Sequence, residues 1–161
     1  MSQAASPVET TQGYHPPTVT QFSVFLVNKV GKMLDLVEHF ESTLCKIYAL
    51  SVHEASDHAV VRLVTNNANK AREILRKDNF PFSERDVLVV ELSGKHTLGT
   101  MCLSILAAEL SIQFAYPLMI RTVHGHPSMA LAVDDLTLAG QLLRRKDFTL
   151  LGEADLSKPD D

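Results

Sequence analysis

The decamer AREILRKDNF, Ala71 to Phe80, aligns without a gap on AGQLLRRKDF, Ala139 to Phe148. Upstream, LCKIYAL (Leu44 to Leu50) aligns on LSIQFAY (Leu110 to Tyr116) at a period two residues shorter, the extra residues falling in the turn RTVHGHP. A chain that repeats itself in order folds as copies of one supersecondary unit, so whatever one half forms, the other must form too.

In the first half, QFSVFLV (Gln21 to Val27) is rich in β-branched and aromatic residues and predicts a strand. Met33, Val37, Phe40 and Leu44 then recur at helical spacing. KIYALSVHE and HAVVRLVT read as two strands around ASD, and Asn67 precedes a second helix, ANKAREILRK, with Glu73 and Lys77 paired at i,i+4. A short strand in FPFSE completes β-α-β-β-α-β, the ferredoxin-like arrangement. The second half gives the same order through VLVVEL, LGTMCLSILAAEL, SIQFAYPLMI, SMALAVD, LTLAGQLLRR and FTLLGEA. The fold class is therefore α+β, with a leader over residues 1–20, one lobe over 21–85, a second over 86–156 and a tail over 157–161. A lobe of about 65 residues buries too little apolar surface to stand alone. The two are expected to pack side by side or back to back as an intrachain pseudo-dimer, joined by a few residues around Glu84 to Asp86.

Composition removes several function classes. The formal charge is -4 and no block of Lys and Arg occurs, which argues against nucleic acid as a partner. No apolar run reaches the roughly 18 residues of a membrane span, and the first residues lack the blocks of a signal peptide, so no membrane and a cytoplasmic location are expected. Cys45 and Cys102 lie outside any C-x-x-C spacing and read as small core residues.

The stretch FLVNKVGKML, Phe25 to Leu34, holds the candidate site. A strand that ends and a helix that starts within a few residues need a tight turn, which Gly31 permits, and the helix start exposes N–H groups that can receive an anion. Gly31-Lys32 is not a phosphate loop, because no earlier glycine precedes it and Met33 stands where Ser or Thr belongs. His124 and His126, with His53 and His58 in the matching hairpin, lack a further metal ligand close in sequence and read as turn histidines. No catalytic motif is present, and neither a cofactor nor a metal is expected. Asn66-Asn67 and Asp134-Asp135 read as helix caps. Tyr116 and Arg121 are placed to read a ligand near the lobe contact, with a solvated strand-end charge as the other reading of Arg121.

The order β-α-β-β-α-β, with VNKVGKMLDLVEHF after the first strand and CKIYALSV as the second, resembles the ACT domain, in the tandem form of stand-alone bacterial proteins, over residues 21 to 156. The resemblance implies a non-catalytic regulatory module that binds a small ligand, usually an amino acid, at an interface between lobes. It places the ligand's carboxylate on the turn Asn28, Lys29, Val30, Gly31 and Lys32, and sets Gln113 and Tyr116 of a facing lobe on the other side. The family often has a proline where Val30 stands. In LSGKHTLGTM, Thr97 falls where the second lobe's glycine would be and Gly94 comes early, so one site per chain is expected, with Lys95 and His96 left outside it. Partners implied are an enzyme of amino acid metabolism and a second copy in a homodimer. The small regulatory subunit of acetolactate synthase has a similar layout, and a small ferredoxin-like enzyme or an oligomerisation unit are readings of another class.

Overall fold

The computed structural model describes residues 15–27 and 31–156. Its elements are β1 (Val19–Val27), α1 (Lys32–Glu41), β2 (Ile47–Glu54), β3 (His58–Thr65), α2 (Ala68–Lys77) and β4 (Phe82–Glu91), then α3 (Leu98–Ala107), β5 (Ile112–Pro117), β6 (Ser128–Val133), α4 (Leu136–Arg145), β7 (Leu150–Leu151) and α5 (Glu153–Leu156). Every strand pair is antiparallel. The first lobe runs β2-β3-β1-β4 across its sheet and the second runs β5-β6-β4-β7, the same order twice. The repeat read from the sequence is thus a repeat of topology.

One strand serves both lobes. Residues Phe82 to Val87 of β4 pair with β1, while Leu88 to Glu91 pair with β6, and Val89 and Val90 also pair with β7. The separate strands expected in FPFSE and VLVVEL, and the connection around Glu84 to Asp86, are corrected to this single element. Ser83 to Asp86 contain neither Gly nor Pro to break the strand, and each has a register partner on β1, so nothing interrupts the ladder. The run Val87 to Val90 is wholly buried because both of its faces are covered.

Helices cover one face of each half-sheet. Phe22, Val24 and Leu26 of β1 point to α1 and α2, meeting Leu36, Phe40, Ile74 and Leu75. Leu88, Val90, Leu131 and Val133 meet Met101, Ile105 and Leu143 of α3 and α4. The period-2 alternation of the strands sends the next residues to the other face, where Val19, Val64, Val87, Val89, Ala130 and Ala132 form one core shared by both lobes. The sheet curls so that its end strands approach, and Met119 N–H donates to the Tyr48 carbonyl at 2.7 Å. The lobes therefore meet side by side through β4 and back to back through this core.

Local devices repeat as well. Asn67 and Asp135 cap α2 and α4, accepting from Lys70 N and Leu138 N. Their neighbours Asn66 and Asp134 accept from Lys46 N and Ser111 N at the start of β2 and β5. Past the helix ends, Asn79 and Asp147 both take left-handed backbone, φ 59° and 66°. These pairs also correct the strand alignment. Lys46 matches Ser111 rather than Ile112, one residue off the sequence reading, and with that offset Tyr48 matches Gln113, each sitting where its ladder register shifts, between Ile47 and Ala49 and between Ile112 and Phe114. A one-residue slip inverts which face each side chain takes.

Three smaller expectations change. The α1 helix ends at Glu41, where the hydroxyls of Ser42 and Thr43 donate back to the carbonyls of His39 and Phe40, so Leu44 is 89% exposed rather than on the helical stripe. Cys45 is buried as expected, but Cys102 is exposed on the outer side of α3. Of FTLLGEA only Leu150 and Leu151 form a strand, and Glu153 opens a short helix.

Candidate functional site

At the start of α1 stands Gly31. Its φ of 89° and ψ of -10° place it in left-handed backbone, which a side chain with a Cβ adopts only at a cost, although nothing lies within 4 Å of where a Cβ would sit. Asn28, Lys29 and Val30 lie outside the described residues. The four ten-residue helices differ at their starts. Asn67, Thr97 and Asp135 each bond a first-turn N–H with a side chain, whereas α1 opens at Gly31, which has no side chain to do so, and no other described residue caps it. Lys32 follows, half-buried beside Asp35, Asp78 and Asn79 in a depression of about 230 Å³. In the second lobe the corresponding start is closed: Thr97 and Thr100 form a reciprocal capping box. Gly94 and Lys95 are exposed, and the His96 ring lies 4.8 Å from that of Phe148.

Within one chain the structure does not bring Gln113 and Tyr116 to that turn. Tyr116 is buried and its hydroxyl donates to Gln21 Oε1 at 2.6 Å. Gln21 lies near the start of β1 and the turn follows its end, a separation of about 20 Å along the strand. Burial pushes the Tyr116 phenol above its ordinary range, although the Arg62 cation pulls it the other way. Gln113 is exposed and its Oε1 accepts from Arg85 Nη2.

Two cavities lie between the lobes. One, of about 580 Å³, is mostly apolar and is framed by Val37, Phe40, Tyr48 and Leu50 of the first lobe with Met119 and Ile120 of the second. The other, of about 470 Å³, opens on the inner face of the sheet and contains Gln21, Ser23, Arg62, Ser83, Arg85 and Phe114. The arginines were not singled out from the sequence. The signal was there: Arg62 interrupts HAVVRLVT at a position whose period-2 neighbours, Val60 and Val64, point to the inner face.

The remaining polar residues have local roles. Arg121 Nη1 donates to the Gly125 carbonyl at 2.9 Å, tying its own loop. His124 and His126 flank the buried Glu91, with Nδ1 to Oε2 distances of 3.2 and 3.7 Å. Burial alone would raise the Glu91 carboxyl, but the Thr122 hydroxyl and His124 outweigh it and hold the group below its ordinary value. Among the described residues no group of three or more His, Cys, Asp or Glu is arranged to hold a metal ion.

Comparison with known proteins agrees with this architecture. The sequence model of the family described as an ACT domain pair matches residues 17–158. Among solved structures, protein BT0572 from Bacteroides thetaiotaomicron superimposes with a TM-score of 0.79 at 21% identity, over 89% of this chain and 98% of that one. The ligand-free regulatory subunit of aspartate kinase from Thermus thermophilus gives a TM-score of 0.53 at 7% identity, over 81% and 93%. The corresponding subunit from Thermus flavus gives 0.52 at 10%, over the same shares. At these identities the likeness is one of fold. No curated protein matches the chain in sequence.

Proposed function

The chain belongs to the ACT domain pair family, and on that premise we propose that it is a non-catalytic regulatory module that binds an amino acid between ACT lobes and controls an enzyme of amino acid metabolism in trans. The observation that carries the reading is the opening of α1 at a left-handed Gly31 with no side-chain cap among the described residues, where the three other ten-residue helices are capped by their own residues. An amino acid carboxylate set at that helix start would accept from first-turn N–H groups and lie at the positive end of the helix dipole. The regulatory subunits of aspartate kinase that share the fold supply the kind of partner by analogy.

Gln113 stands exposed and far from the turn of its own chain, so in this proposal a second copy provides the facing lobe in a homodimer, while Tyr116, buried against Gln21 of its own chain, takes no part in the site. The outer side of α3 supports association, since Leu98, Leu103 and Leu106 are 49%, 64% and 69% exposed on a single helix. A cytoplasmic setting is consistent with two cysteines that are both unpaired.

A thermal-shift screen of the full chain against the common amino acids tests the reading. A ligand at 100 times its dissociation constant adds about 2.7 kcal/mol to the folded state and raises the transition visibly. A screen in which no amino acid moves the transition, even at millimolar concentration, would remove the sensor proposal.

A further inference from the structure

The inner-face cleft holds two cations around one ring. Arg62, on β3 of the first lobe, sets its guanidinium carbon 3.9 Å from the centroid of Phe114 on β5 of the second, and that of Arg85 lies 5.4 Å from the same centroid. Arg85 is anchored, donating through Nη2 to Gln113 Oε1 and to the Val133 carbonyl. Arg62 is not: its Nε is buried with no hydrogen-bond partner among the described residues. The acid that reaches the rim, Glu84, is already committed, receiving Nε and Nη2 of Arg72 at 2.5 and 2.7 Å. Two like charges thus share a cavity of about 470 Å³ with no free carboxylate among the residues that line it.

We propose that this cleft is a binding site for a small dianion, a short dicarboxylate or a phosphate, distinct from the amino acid site at the Gly31 turn and independent of it. Arg62 is half-buried and has no free carboxylate among the residues that line the cleft, so its guanidinium is left to donate a charge-assisted bond to an anion there. Two negative charges match the two guanidiniums. Ser23 and Ser83, register partners on β1 and β4, bring hydroxyls to the same cavity, and Phe25 and Val60 cover a short carbon chain. An α-ammonium group has no carboxylate there to meet, so the site favours acids without one. Because Arg62 and Phe114 come from different lobes, an occupant would bear on the contact between them.

The test is calorimetric titration and thermal shift of the full chain at low ionic strength, with succinate, inorganic phosphate and glycine as probes. Succinate or phosphate is expected to bind wild type and Gly31→Asp alike, with glycine inert in this cleft, and the tighter of the two dianions identifies the source. Arg62→Gln should lose at least about tenfold in affinity, the scale of one charge-assisted bond. Should Arg62→Gln fail to fold, Ser83→Glu carries the test: a carboxylate built into the cleft should raise the unliganded melting temperature and cancel the shift given by the dianion. No saturable binding of either dianion to wild type up to about 10 mM overturns the proposal. So does unchanged affinity in folded Arg62→Gln, or Ser83→Glu binding as wild type does.

Discussion

The Tyr116 hydroxyl donates a 2.6 Å hydrogen bond to Gln21 Oε1, joining β5 of the second lobe to β1 of the first where Gln21 is 1% exposed. Neither group can turn to water, so each depends on the other. Tyr116→Phe strands the Gln21 carbonyl oxygen and should cost about 1 to 3 kcal/mol in urea unfolding. Adding Gln21→Leu should recover part of that loss, because an apolar pair leaves no polar atom unmet. Folded protein should also show no Tyr116 phenolate near pH 10 in ultraviolet titration, since burial raises that group.

At the proposed amino acid site, Gly31→Asp adds a side chain to left-handed backbone and a negative charge where a carboxylate would sit. The fold should survive, with a cost of roughly 1 to 3 kcal/mol, while titration of the best amino acid from the screen shows binding lost. Thr97→Ala should do the reverse. It removes a cap worth about 0.5 to 2 kcal/mol and should leave binding as in wild type. A folded Gly31→Asp protein with unchanged affinity would take the turn out of the site.

His39 predicts a pH dependence of stability. Its ring lies 2.6 Å from the Asp35 carbonyl oxygen and 3.5 Å from Asp78, and that carbonyl, aided by the acids and opposed by partial burial, raises its pKa above 6.5. A raised folded value means that the contribution is fully present below the unfolded pKa of about 6.5 and is lost as pH rises through the folded one. Proton NMR should find His39 titrating above 6.5. Chemical denaturation should show His39→Gln lacking the corresponding fall in stability between mildly acidic and mildly alkaline pH.

If α3 carries the homodimer contact, replacing Leu103 and Leu106 together by Glu should produce a folded monomer of about 18 kDa in sedimentation, because two charges would have to be desolvated at the interface. Wild type should sediment as the dimer at micromolar concentration. A monomer in both cases removes the homodimer from the proposal.

The repeat itself was legible in the chain because its signals are local. Asn67 and Asp135 stand at helix starts, Ala71, Ile74 and Leu75 keep helical spacing, and β1 alternates, so short-range chemistry determined ten of the twelve described elements, the exceptions being β4, which reads as two strands, and the short α5. That Thr97 stands where Gly31 stands in the first lobe was equally readable, and the structure adds that Thr97 caps its own helix. What only the tertiary structure decided depends on residues far apart in sequence. That β4 is one strand rather than two follows from β1, β6 and β7 all finding its edges, and the slip at Tyr48 and Gln113 is visible only against the partner strand. Arg62, Arg85 and Phe114 are unremarkable where they stand in the chain. They become a charged cleft because the sheet curls and sets the inner faces of the two lobes against each other, a juxtaposition that periodicity along a single strand does not encode.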